Sequence, residues 1–170
     1  MRICYLHYEW DLEASRGAAT QITATVAALE RLGHEVFLVP RHSKPASRAS
    51  GHRRPFFPWL WEAANHWRSL TGIPVEIEIL RRLRPDVVVL LHALRFSGVV
   101  AAHRLGLPVV IEVNASVPDE IRRYRPDVHL VPWLSDWIER RMLAAADGIF
   151  VVSGVLRDVL VHRGLPPDRV

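Results

Sequence analysis

The sequence predicts an α/β fold: a three-layer sandwich with a mainly parallel sheet between helices. Three observations predict it. Near-continuous apolar runs of strand length recur at Arg2–His7, Val87–His92 and Val109–Val113, the pattern of strands buried on both faces. Amphipathic helical stretches alternate with these runs. The first forty residues, Met1 to Pro40, read as strand, loop, helix, strand, and a unit of that length most simply gives two parallel neighbours with a right-handed crossover.

In chain order, Arg2–His7 is the first strand and Tyr8–Arg16 a polar loop. From Ala18 the period changes. Ile22, Val26 and Leu29 fall at i, i+4 and i+7, one stripe of a helix that stops at Gly33. His34–Val39 is the second strand. Arg41–Pro58, rich in Pro, Ser, Gly and Arg, reads as a long loop, and loops of that length are usually functional or disordered. Trp59–Leu70 reads as a helix with Leu60, Ala63, Ala64 and Trp67 on one face; a second helix, Val75–Leu83, follows Pro74 at its first turn.

Val87–His92 is the third strand, Ser97–Leu105 a short helix closed by Gly106, and Val109–Val113 a strand opened by Pro108. Asn114–Pro132 reads as irregular, with Arg122, Arg123 and Arg125 clustered. Trp133–Ala146 gives a helix whose apolar face takes in Trp137, Ile138, Met142 and Ala145. Ile149–Val152 is the last strand, and Ser153 caps a helix over Val155–Arg163.

With 170 residues the chain fits one domain. No apolar run approaches the roughly 18 residues that cross a bilayer, and the first is too short for a signal peptide; the expectation is a cytoplasmic protein. The single cysteine, Cys4, lies in the first strand and reads as a small buried hydrophobe. A net charge of +4, with every basic residue except Lys44 an arginine, favours anionic partners. Zinc-finger spacings, basic-region heptads and RNA-stacking motifs do not occur, so nucleic acid is not an expected partner. Nor do a P-loop, a nucleophile elbow, a Ser-His-Asp signature or a zinc-ligand cluster, and no metal or cofactor is expected.

The turn Arg16-Gly17-Ala18-Ala19-Thr20 feeds a helix whose free N–H groups and positive dipole end face the carboxyl edge of the sheet, where phosphates and sugar hydroxyls bind. One such glycine before a helix is more often plain loop geometry than a ligand site.

Three ordered segments, RGAATQITATVAALERLGHEVFLVP, RPDVVVLLHALRFSGVVAAHRLGLPVVIEVN and IERRMLAAADGIFVVSGVLRDVLVHRGLPPDRV, resemble the N-terminal half of family 4 glycosyltransferases. Those enzymes have the GT-B architecture, two Rossmann-like domains facing each other across a cleft. The resemblance implies that residues 1–165 form the Rossmann-like, acceptor-side domain and that 166–170 begin the linker to a C-terminal domain. That second domain opens on an Asn-Gly turn, binds the nucleotide-sugar and carries paired glutamates, and the chain ends before it. The implied activity is retaining transfer of a sugar from a nucleotide-sugar to a glycan, lipid-linked or small-molecule acceptor, with the 170 residues alone inactive. Two other readings stay open: a stand-alone module binding a glycan, lipid or protein, and another enzyme on the same architecture such as a sugar-nucleotide epimerase.

The resemblance also implies residue roles. Gly17, with Arg16, Ala18 and Thr20, is expected at the donor's diphosphate and sugar. Ala18 replaces a second glycine of many relatives, and its methyl restricts backbone approach. Asn114 stands where many relatives have a histidine that contacts the transferred sugar; a carboxamide can orient a hydroxyl but cannot shuttle a proton. His92 is the other candidate catalytic residue, and Arg95, Glu112 and Ser153 are acceptor-side candidates. Plainer readings stand beside these: a strand-end turn for Asn114, a polar strand end for His92, a buried carboxylate or an arginine partner for Glu112, a helix cap for Ser153. Arg53, Arg54, Trp59 and Trp61, with Phe56, Phe57 and Trp67, interleave basic and aromatic residues as an anionic membrane surface does; the tryptophans equally suit a core. Peripheral contact with the inner face of the membrane is the corresponding expectation.

Overall fold

The structure is a computed structural model in which residues 1–8, 16–40, 58–124 and 132–170 are described. Five strands, β1 (Arg2–His7), β2 (Glu35–Pro40), β3 (Val87–Leu91), β4 (Val109–Val113) and β5 (Gly148–Val151), alternate with six helices: α1 (Arg16–Arg31), α2 (Pro58–Leu83), α3 (Ser97–Arg104), α4 (Val117–Tyr124), α5 (Pro132–Ala145) and α6 (Gly154–His162). The strands form one sheet in the order β2-β1-β3-β4-β5. Every pairing is parallel, with Tyr5 opposite Leu38 and Val89, and Glu112 opposite Leu91 and Phe150. This is the Rossmann-like sandwich the sequence predicts.

Alternation along the strands divides the core. Cys4, Leu6, Val88, Leu90, Val109, Ile111 and Val113 pack with Leu80 of α2, Val99 and Ala102 of α3, Met142 of α5 and Leu160 of α6. Ile3, Tyr5, Val89 and Leu91 face the other way, onto Ile22, Val26 and Leu29 of α1. The stripe read from the sequence is thus the buried face of α1, and Cys4 is fully buried. Gly33 at the end of α1 has φ +83°, a conformation that only glycine adopts without strain.

Four expectations are corrected. Helix α1 begins at Arg16, so Gly17 and Ala18 lie inside its first turn instead of before it. One helix, α2, runs through Pro74 where two were expected. Proline costs a helix its i−4 hydrogen bond; here Pro74 and Leu70 are both exposed, which leaves the Leu70 carbonyl open to water. The opposite side, with Ser69, Ile73, Glu76 and Leu80 all buried, holds the two halves in line. Helix α4 forms inside the stretch expected to be irregular. Its start is tied by a distant residue, since Glu139 Oε1 accepts from the Val117 N–H at 3.0 Å. Finally Trp67 and Trp137, both assigned to apolar helix faces, are 66% and 49% exposed. The loop at 41–57, with Arg53 and Arg54, lies outside the described residues, as do Arg125 and the side chains of Trp59 and Trp61.

Candidate functional site

Because every strand runs the same way, the ends of β1, β3, β4 and β5 and the first turn of α1 share one edge of the sheet. The chain leaves β1 for β2 on one side and returns to β3 on the other, so the connections reverse between β1 and β3. Open α/β sheets bind ligands outside the carboxyl ends at such a reversal.

On the α1 face this edge carries a four-residue polar chain. Glu112 is fully buried in an otherwise apolar strand. Its Oε2 accepts from the Tyr5 hydroxyl at 2.6 Å and its Oε1 from Gln21 Nε2 at 2.5 Å. The same Gln21 nitrogen donates to Asn114 Oδ1 at 2.5 Å. Burial raises the Glu112 pKa, and the bonds from Tyr5 and Gln21 oppose the rise. Tyr5 is pushed well above the usual phenol range by burial first and its carboxylate partner second. Gln21 stands four residues after Gly17, so both lie on one side of α1 a single turn apart. Through Gln21, therefore, the first turn of α1 and Asn114 are brought together.

On the opposite face the edge is closed. The His92 ring, with 1% of its side-chain surface exposed, faces Glu139 across 3.5 Å. Its Nδ1–H donates to the Ala115 carbonyl at 3.2 Å, leaving Nε2 toward Glu139. Glu139 also accepts from Ser116 Oγ at 3.0 Å and lies 3.5 Å from Arg163. Burial pushes His92 down to about 4 against the bond to Ala115. It pushes Glu139 up to about 7, opposed by Ser116, Val117 and Arg163. Both groups are therefore biased to their uncharged forms, and together they pin the 115–117 backbone that follows Asn114.

A second network on that face joins Tyr8, at the end of β1, to α2 and α3. Glu76 Oε1 accepts from Ser97 Oγ at 3.0 Å and from the Tyr8 hydroxyl at 3.3 Å. The Gly98 N–H donates to the same hydroxyl at 3.1 Å. A Cβ on Gly98 would stand 2.6 Å from Leu90 Cδ2 and 2.8 Å from the Tyr8 hydroxyl, so a side chain there would displace the ends of both.

The sequence-derived residues fall into distinct places. Glu112 and Asn114 belong to the α1-face chain; Glu112 is the buried carboxylate of its two plainer readings, with Tyr5 and Gln21 and not an arginine as its partners. Gly17 and Thr20 are exposed on α1, and a Cβ added to Gly17 meets nothing within 4 Å. Arg16 and Ala18 are in α1, with side chains outside the described residues. His92 lies inside the closed network. Arg95 stacks over the Tyr8 ring at 5.4 Å. Ser153 caps α6 by accepting from the Leu156 N–H at 3.2 Å. Residues 166–170 lie against β5 and α6: the Arg169 carbonyl accepts from the Ile149 N–H at 2.7 Å, and the Val170 carbonyl from Arg157 Nε at 3.1 Å. Sequence reasoning missed Tyr5, Gln21, Ser116 and Glu139; a carboxylate inside the apolar run VVIEV was the signal for the first two. Among the described residues no three His, Cys, Asp or Glu side chains converge as metal ligands, and no helix is long and apolar enough to cross a membrane.

The fold and this edge define a Rossmann-like half of a GT-B-like protein. The sequence matches Glycosyltransferase Family 4 over residues 15–170, and the chain belongs to that family. It is 27% identical over 184 aligned positions to the alpha-maltose-1-phosphate synthase of Mycolicibacterium smegmatis, covering all of this chain and 43% of that protein. It thus spans less than half of that curated relative. Among solved structures it resembles the S. aureus MnaA–UDP co-structure (TM-score 0.64, 16% identity, 100% of this chain and 43% of that one). It also resembles the UDP-GlcNAc 2-epimerase from Neisseria meningitidis bound to UDP-GlcNAc (TM-score 0.60, 12% identity, 100% and 45%). These structural likenesses show the shared fold.

Proposed function

We propose that this chain is the acceptor-side domain of a retaining glycosyltransferase that moves a sugar from a nucleotide-sugar to a glycan, lipid-linked or small-molecule acceptor. The observation that carries the reading is the joining of the first turn of α1 to Asn114 through Gln21. The free N–H groups of that turn suit a phosphate, and the carboxamide beside them suits a sugar hydroxyl. Residues 1–165 form this domain and 166–170 lead toward a second domain, which supplies most of the donor contacts. The alpha-maltose-1-phosphate synthase of Mycolicibacterium smegmatis supports a glycosyl-transfer chemistry.

Asn114 orients the transferred sugar. His92, held in its ring-buried position, acts on the chemistry by fixing residues 115–117. Gly17 lets donor oxygens approach the helix, while Arg16, Ala18 and Thr20 flank them; Arg95, Glu112 and Ser153 border the acceptor side. Contact with an anionic membrane is a further part of the reading, favoured by the exposed Trp67, Leu70, Trp133 and Trp137 and by Arg141 stacked on Trp137 at 5.5 Å. It places the protein in the cytoplasm with peripheral attachment through the segment of Arg53, Arg54, Trp59 and Trp61.

The test is turnover of a panel of nucleoside-diphosphate sugars by these 170 residues and by the full product of the reading frame. Transfer with retained anomeric configuration by the full product, and none by the 170 residues, is expected. Turnover by the 170 residues alone, or inversion, contradicts the proposal. A reading frame that stops at Val170 favours the stand-alone binding module.

A further inference from the structure

Asn114 presents a carboxamide, which is a donor on one side and an acceptor on the other. Which side faces a ligand decides what that edge recognises. The geometry of the α1-face chain settles the question. Gln21 turns its nitrogen to Glu112, donating to Oε1 at 2.5 Å, while the Tyr5 hydroxyl donates to Oε2. That same nitrogen stands 2.5 Å from Asn114, so the Asn114 atom facing it is the oxygen. Reversing either carboxamide alone sets donor against donor or acceptor against acceptor, which leaves polar groups out of water unpaired. Asn114 is half-buried, and its Nδ2 makes no hydrogen bond among the described residues.

We propose that Gln21 is a positioning residue: with Glu112 it locks the Asn114 carboxamide oxygen-inward and NH2-outward, so that the sheet edge recognises a hydrogen-bond acceptor on its ligand. On the reading under Proposed function, that acceptor is a sugar hydroxyl oxygen or a phosphoryl oxygen of the donor. The locking itself does not depend on that reading. Glu112 is the anchor, Gln21 transmits its polarity, and Tyr5 holds the far carboxylate oxygen so that the near one stays on Gln21. Glu112 and Gln21 set the polarity that Asn114 presents.

The test is side-chain NH2 hydrogen exchange by NMR on this chain at pH 8. In the unaltered protein the Gln21 NH2 is expected to exchange at least tenfold more slowly than the Asn114 NH2. In Gln21→Glu, a near-isosteric change, the new carboxyl shares one proton with Glu112 and turns an acceptor oxygen to Asn114. The carboxamide then reverses and the Asn114 NH2 becomes the slow one, whereas Gln21→Met abolishes the preference. A merely space-filling Gln21 would give the same Asn114 exchange in all three proteins. That result, or an Asn114 NH2 already slow in the unaltered chain, overturns the proposal. Backbone amide spectra establish that each variant is folded before its exchange is compared. UDP-N-acetylglucosamine is titrated separately: the unaltered chain is expected to bind it at least fivefold more tightly than Gln21→Glu. The predicted exchange pattern without any nucleotide-sugar binding would leave the positioning role intact and count against the glycosyltransferase reading alone.

Discussion

The two faces of one sheet edge use buried carboxylates in opposite ways. On the α5 side Glu139 is enclosed with His92, Ser116, Val117 and Arg163, and its bonds end within the protein. On the α1 side Glu112 is just as buried, yet its chain of bonds leads outward through Gln21 to Asn114. The first arrangement fixes a loop. The second fixes the polarity of a group at the surface. A buried carboxyl is costly unless its partners satisfy it, and the difference teaches that the same cost can serve rigidity on one side and, on the proposal above, recognition on the other.

The comparison breaks most visibly on removal of each network's centre. Glu139→Ala strands the Val117 N–H and leaves a cavity beside His92, while Ser116 and Arg163 keep each other and Arg163 keeps Asp119; it is expected to lower unfolding stability in urea by about 3 kcal/mol. Gln21→Ala, at the half-buried end of the other network, is expected to cost no more than about 1 kcal/mol. Equal losses would erase the distinction between closed and open.

Proton linkage gives the next largest effect. Between pH 4.5 and 6.5 the folded protein carries its proton on Glu139, whose value rises to about 7, while the unfolded chain carries one on His92, whose folded value falls to about 4. The two counts match, so the pair contributes a level stability across that window. Glu139→Gln unmasks His92. The unfolded state then binds more protons, and stability rises with pH from about 4 to 6.5, by about 3 kcal/mol in all. His92→Phe does the reverse: the Glu139 contribution is full below the ordinary 4.5 and is lost as pH rises through about 7. Unfolding free energies over pH 4–8 check both signs.

Gly98→Ala forces a methyl against Leu90 and Tyr8 and is expected to cost about 1–3 kcal/mol by thermal unfolding. Gly17→Ala, with open space at its Cβ, has the opposite sign. Helix propensity stabilises it by up to about 1 kcal/mol, while nucleotide-sugar binding by the full gene product weakens. A stabilised variant with unchanged binding would remove Gly17 from the ligand edge.

These residues also mark how far the sequence was legible. Period and punctuation located the strands, α1, α3 and the Ser153 cap to within a residue or two, because each depends on local pattern. They could not foresee α2 passing Pro74 or α4 starting at Val117, since both rest on contacts far along the chain: the buried side of α2 in the core, and Glu139 beneath α4. Asn114 and Glu112 stood out as polar residues ending apolar runs. Gln21, beside the apolar Ile22 of an amphipathic helix, looked like an ordinary boundary residue, and only the fold brings it to β4. Trp137 fitted a helical stripe by spacing but sits at the rim of that stripe, half in solvent.

The central claim is that the ligand edge is the α1 face, with Gly17, Gln21 and Asn114, and not the closed face around Glu139. Backbone amide titration of this chain with a panel of nucleoside-diphosphate sugars tests it most directly. Shifts concentrated at residues 16–21 and at Asn114, with those around Glu139 and Arg163 unmoved, are predicted. Shifts centred on Glu139 and Arg163, with the first turn of α1 silent, would contradict it.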